Sequence, residues 1–140
     1  MSYKIITKYI RDISFEIVDS KTYFLIEKDI KYYRFICDIN SIKIKENVLQ
    51  VNVNLRLEPK EKNFKKNIHV SVELASIVQI EGKFPKDELE KIILIKVPTE
   101  IYPEIRNIIV FLFEKSGFKK INIDENIDFL KLYESRKNQK

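Results

Sequence analysis

The stretch VPTEIYPEIRNIIVFLFEKSGF, residues 97–118, constrains the fold of this chain more than any other. Mapped at about 100° per residue on a helix, Ile105, Ile108, Ile109 and Leu112 form one apolar stripe, and Val110, Phe111 and Phe113 carry it round the cylinder. Glu104, Arg106, Asn107 and Lys115 leave only a narrow polar strip. A helix apolar on nearly every side has to be covered on more than one. It is expected to begin in the turn holding Pro103, where a missing N–H costs nothing, and to end at Ser116-Gly117 with Gly117 as a left-handed cap.

A single sheet covers one side of such a helix. The other side is covered either within a monomer, as a central core helix, or by a second subunit. A second helix is predicted from Asn126, a good N-cap, with Ile127, Leu130 and Tyr133 on its stripe. That stripe is short. Each large side chain left wet forgoes roughly 1.5–3 kcal/mol, so several on one face make an adhesive patch. Self-association is the economical solution, with Ile105, Ile108, Ile109, Leu112 and Phe113 as the oligomer contact.

The sheet is legible upstream. In YIRDISFEI, residues 9–17, Ile13, Phe15 and Ile17 alternate with polar neighbours as in a half-buried strand. Residues 18–33 mix charges with Tyr23, Phe24, Leu25, Tyr32 and Tyr33 behind an Asp19-Ser20 turn signal, and read as a long crossing connection. Phe35, Cys37 and Ile39 share one phase and Ile42 and Ile44 the other, which predicts a bulge near Asn40. Glu46-Asn47 predicts a tight reversal. Leu49, Val51, Val53, Leu55 and Leu57 then alternate strictly with Gln50, Asn52, Asn54, Arg56 and Glu58, so one face of this strand is wet or meets something polar. A solvated loop at 59–67, containing Phe64, leads to a fourth strand, IHVSVELASIVQIEG. The links between the later strands are too short for parallel crossovers, so the sheet is antiparallel.

At 140 residues the chain is expected to be one domain, 1–140, with 132–140 a partly frayed basic tail. Cys37 is the only cysteine, the first residues carry charges before any apolar run of leader length, and no apolar run spans a bilayer; a reduced cytoplasm without membrane insertion is expected. Gly82 and Gly117 are the only glycines, so no phosphate-cradling loop can be built and ATP is not a cofactor. His69 is the only histidine and lies on a strand, which leaves no set of metal ligands or Cys/His pair at useful spacing; the chain is expected not to be an enzyme and to need no cofactor. The net charge of +5 comes from lysines distributed along the whole chain, where a nucleic-acid footprint would concentrate them. A basic nucleic-acid-binding module remains the third function class, although the wet face of the best strand offers no aromatic platform for bases.

YIRDISFE, LASIVQIEG, VPTEIYPEIRNII and SGFKKINIDENIDFLKLY resemble, in order and spacing over residues 9–133, the SecB family of protein-export chaperones. The resemblance implies an α+β fold, a four-stranded antiparallel sheet with two helices packed on one face, assembled as a dimer of dimers with the long helices sandwiched between. It implies an ATP-independent holdase that keeps unfolded preproteins in hydrophobic grooves and passes them to SecA. Tyr23, Phe24, Tyr32 and Tyr33 of the crossing segment and Phe129, Leu130 and Tyr133 of the second helix are the candidate groove walls. Asp12 and Glu16 match the acidic SecA-docking face, but His69 and Ser71 stand where the family has apolar and acidic side chains, which weakens docking to a basic tail. Similar proteins also serve toxin–antitoxin modules, holding a single antitoxin; that dedicated role is the alternative to general export.

Overall fold

The computed structural model describes residues 2–61, 67–118, 121 and 123–138. Phe64 and most of the 59–67 loop lie outside the described residues, as do the last two residues of the tail.

Four strands, β1 (Ser2–Ile17), β2 (Tyr33–Lys45), β3 (Val48–Pro59) and β4 (Ile68–Glu81), form one antiparallel sheet in the order β1-β4-β3-β2. The alternation in β3 does what it predicts: Val51, Val53, Leu55 and Leu57 are buried on one face, opposite Val70, Val72 and Leu74 of β4. Asn47 takes a positive φ of 63° in the two-residue turn from β2 to β3, where an asparagine is among the few side chains that tolerate it.

Between β2 and β3 the register runs unbroken through Asn40 and shifts only between Lys43 and Lys45, so the expected bulge at Asn40 is absent. Ile42 and Ile44 change phase because they face away from the helices, exposed, on an edge strand. Real bulges lie in β1, between Ile5 and Thr7 and between Ile10 and Asp12.

Residues 18–33 hold a helix, α1 (Ser20–Asp29), and a short 3₁₀ turn rather than a bare connection. Asp19, expected as a turn residue, is the N-cap: its carboxylate accepts from the Thr22 N–H at 2.7 Å. Ile26 is fully buried among the core residues, which gives α1 little apolar periodicity to read.

The long helix also starts earlier than Pro103. Helical backbone runs from α2 (Lys86–Lys91) through a widened π turn at Ile92–Lys96 into α3 (Val97–Lys115), with Pro103 inside α3 and exposed to solvent. The π turn has a reason in the sequence. The buried stripe runs Ile92, Val97, Ile101, Ile105, Ile109 and Phe113, one step of five followed by steps of four, with Pro98 and Tyr102 buried beside it. Five α-helical residues would carry a side chain about 140° past its predecessor; an i→i+5 turn, with the Val97 N–H on the Ile92 carbonyl, returns Val97 to the sheet-facing side.

Gly117 is the expected left-handed cap, at φ +89°. The Phe118 N–H then bonds the Phe113 carbonyl at 3.0 Å, and the Phe118 ring packs edge-on against Phe113 at 5.3 Å. Helix α4 (Phe129–Asn138) is capped by Asp128, whose carboxylate accepts from the Lys131 N–H at 3.0 Å, not by Asn126. Its buried pair is Phe129 and Tyr133, one turn apart, while Leu130 is exposed. Helix α4 takes in residues 132–138.

The core therefore lies between the sheet and α3. Ile105, Ile109 and Phe113, expected at a subunit contact, have no exposed surface in the single chain; Phe113 packs edge-on against Phe15 of β1 at 5.2 Å. Ile108 and Leu112 are half-buried, and Phe111 projects at 55% exposure. The correction is one of direction: the sheet takes the i, i+4 stripe, and only the opposite flank is left for a partner.

Candidate functional site

Strand β2 is an edge strand, and its helix-side residues line successive concavities. At one end Tyr33 and Phe35 meet Leu57, Tyr102, Ile123 and Ile127 around a groove of about 520 Å³. In the middle Cys37 and Ile39 meet Leu94 and α4, through Phe129, Leu132, Tyr133 and Arg136, leaving only a narrow gap. At the far end Ser41, Lys43 and Lys45 border a second groove of about 530 Å³, floored by Val48, Leu49, Ile80, Phe84, Leu89 and Ile93. Thirteen residues of strand make this line roughly 40 Å long, at about 3.3 Å per residue.

The first groove is held open by polar contacts behind its walls. The Tyr102 hydroxyl donates to the Asp124 carbonyl at 2.5 Å, and the Arg106 guanidinium donates to the Ile123 carbonyl at 3.2 Å, which pins the segment leading to α4. Burial, reinforced by Asp124, pushes the Tyr102 phenol up to about 12. Tyr33 is buried at this groove, its hydroxyl donating to the Asn67 side chain at 2.6 Å. At the waist, burial first and then the neighbouring Asp38 carboxylate push the Cys37 thiol up to about 11, against the opposing pull of Arg136. That thiol therefore stays protonated at neutral pH and packs at the waist.

The residues expected as groove walls divide. Tyr33 lines the first groove; Phe129 and Tyr133 are buried at the waist and hold α4 down, Phe129 edge-on to Tyr102 at 6.2 Å and the Tyr133 hydroxyl donating to Glu90 at 3.2 Å. Phe24, at 75% exposure, together with Tyr32 and Leu130, presents apolar surface to solvent. Tyr23 is half-buried, its ring 5.3 Å from Phe118. The second groove was not foreseen. Beside Val48 and Leu49, its floor comes from residues 80–93, where FPKDELEKIILIKVP carries its apolar side chains ahead of the expected helix start. The alternation of Ser41, Lys43 and Lys45 was the only local hint.

Among the described residues, no helix packs on the other sheet face. Hydrogen bonds cross it from strand to strand: the Tyr9 hydroxyl donates to Gln50, the Gln50 amide to Asn52, and the Asn52 amide to Asn40. Asn52 is thereby buried yet satisfied at 4% exposure. Asp12 and Glu16 are exposed on β1, opposite Glu73 and His69 of β4. Arg11, the extra residue of the second β1 bulge, pairs with Glu73 at 2.5 Å, and Arg56 pairs with Asp38 and Glu58. A bulge re-aims the side chain it inserts; here it brings a cation onto Glu73, which faces Asp12 across the ladder.

Among the described residues, no group of three His, Cys, Asp or Glu side chains could hold a metal ion, and no helix is long and apolar enough to cross a membrane.

The family model for SecB, described as preprotein translocase subunit SecB, matches residues 1–140. A putative protein-export protein SecB of Pelagibacter ubique is 38% identical over 138 residues, covering 98% of each chain. A protein-export protein SecB of Burkholderia vietnamiensis is 30% identical over 128 residues, 91% of this chain and 78% of that one. Among solved structures, the Mycobacterium tuberculosis Rv1957 SecB-like chaperone, in complex with a ChAD peptide from the Rv1956 HigA1 antitoxin, superposes with a TM-score of 0.63 at 10% identity, over 87% of this chain and 89% of that one.

Proposed function

The chain belongs to the SecB family, and from that premise we propose that it is an ATP-independent holdase for proteins bound for export, working in the cytoplasm and catalysing no reaction. The observation that carries this reading is the line of two apolar grooves along the edge strand β2. An extended, unfolded segment fits such a line: its side chains enter the grooves, and its backbone can bond the outer edge of β2. Several weak sites joined by one chain give avidity while each contact stays reversible.

Two further assignments belong to this reading. The chain self-associates through the outer edge of β1 and the free flank of α3. A sixteen-residue edge strand is a liability when left unpaired, and beside it Ile10, Leu74 and Ile108 line a shallow apolar depression, with the Lys8–Glu104 ion pair at 2.6 Å. SecA docks on the open sheet face at Asp12 and Glu16, and weakly, because Arg11 and Arg56 neutralise the remaining carboxylates there. A single antitoxin client remains the second reading. The antitoxin peptide carried by the Rv1957 relative favours it, whereas the relatives at 30% identity and above carry the export name.

The test is suppression of light scattering by a chemically denatured client at stoichiometric chaperone and moderate salt. The wild type should delay aggregation, and Phe24→Asp with Leu130→Asp should shorten that delay severalfold without unfolding the chaperone. No delay at any ratio would end the holdase reading. Sedimentation as a single chain across a wide concentration range would end the self-association assignment.

A further inference from the structure

The basic side chains that look dispersed along the sequence collect around the grooves in the fold. The first groove is bordered by Lys31, Arg34 and Lys60 against Asp124, and the second by Lys43, Lys45 and Lys83 against Glu46. With Arg136 at the waist this makes seven cations to two carboxylates among the residues lining the grooves and the waist, where the whole chain has 26 to 21. All of these groups are exposed, so their charges stand at the rims while the floors stay apolar. On the open sheet face, by contrast, Arg11 and Arg56 are taken up by Glu73, Asp38 and Glu58.

Resting on the holdase reading, we infer that the grooves select for one kind of client: extended polypeptide segments whose apolar side chains are flanked by aspartate or glutamate. An apolar core of four or five residues fills a floor, and carboxylates on either side of it meet the lysines of the rim. Rim charges of this kind act mainly on encounter rate and on discrimination between partners. A segment flanked by lysine would meet like charge at both ends of the same floor and be rejected. The floor of the second groove, aliphatic apart from Phe84, suits leucine- and valine-like side chains better than nucleobases, which need aromatic stacking surfaces.

The test uses the full-length protein and two labelled peptides with the same apolar core, one flanked by two Asp and two Glu, the other by four Lys, read by fluorescence anisotropy. At about 50 mM salt the acidic peptide should bind roughly tenfold more tightly, from several weak rim contacts acting together. At about 1 M salt, where the screening length falls to ~3 Å, the ratio should shrink below about twofold. Lys43→Glu with Lys83→Glu, both at exposed positions, should abolish or reverse the preference at low salt. Equal affinity for the two peptides, or tighter binding of the lysine-flanked one, would overturn the inference and leave the holdase reading standing. Binding of neither peptide would overturn both. Displacement of the acidic peptide by a single-stranded oligonucleotide at equal charge concentration would also overturn it, in favour of a polyanion site.

Discussion

Replacing Gly117 by alanine should destabilise the protein by two separable routes. The backbone there has φ +89°, a conformation in which a side chain costs on the order of 1 kcal/mol even after the gain from stiffening the unfolded chain. An added Cβ would also lie 2.4 Å from the Tyr23 hydroxyl oxygen, while the next ring atom, Cζ, is at a comfortable 3.5 Å. Relief requires the Tyr23 ring to retreat by about 1 Å from a position packed against Phe24 at 5.8 Å and Phe118 at 5.3 Å, which forces it off its rotamer at roughly 0.5–1.5 kcal/mol. Gly117→Ala should therefore cost about 2 kcal/mol. In a Tyr23→Phe background the clash vanishes and only the backbone part, about 1 kcal/mol, should remain. Urea denaturation of the four proteins at one fixed concentration measures this, since association makes stability concentration-dependent. A full loss persisting in the Tyr23→Phe background, or a Gly117→Ala protein within ~0.5 kcal/mol of wild type, would refute the packing of α1 against the end of α3.

Phe113→Ala should cost about 3–5 kcal/mol by emptying a fully buried site, whereas Phe111→Ala should leave the fold's stability within about 0.5 kcal/mol and shift sedimentation toward smaller species; equal loss of stability in both would restore the all-round burial expected from sequence. The Ser76 hydroxyl is fully buried with no hydrogen-bond partner among the described residues, so Ser76→Ala should be neutral or stabilising by up to about 1 kcal/mol in the same urea titration. Cys37 and Tyr102 hold their protons more tightly folded, at about 11 and about 12, than at their ordinary values of 9.0 and 10.0. Their contribution is complete below pH 9 and is lost as pH rises from there toward 12; thermal melts should fall across that window, and Cys37→Ser should flatten its first part.

Strict alternation made β3 and β4 legible, and the special backbones at Asn47 and Gly117 announced themselves by residue type. Where the fold departs from the local sequence signals, tertiary contacts decide. Pro103 looks like a helix start but sits on the wet side of α3, where losing one N–H bond matters least. The stripe Ile105, Ile108, Ile109, Leu112 assumed a buried face of ordinary α-helical width, whereas the sheet takes Ile101, Ile105, Ile109 and Phe113. Asp19 and Asp128 are both caps, and the helices they open bury Ile26 in α1 and Phe129 with Tyr133 in α4. The grooves were partly visible as aromatic clusters. Their charge was not, because Lys31, Arg34 and Lys60, and likewise Lys43, Lys45 and Lys83, come together only when β2, the loop after β3 and the segment after β4 are folded against one another.

The wide turn at residues 92–96 acts as a phase corrector between two helical registers. Were the same residues to wind as ordinary α-helix, every side chain from Val97 to the end of α3 would swing by about 100° relative to Ile92. Phe113 would leave its place beside Phe15 and Phe118, and the floor of the second groove would lose its alignment with the first. Deletion of one residue from the turn should thus be tolerated, because it restores a step of four, whereas insertion of one more should not.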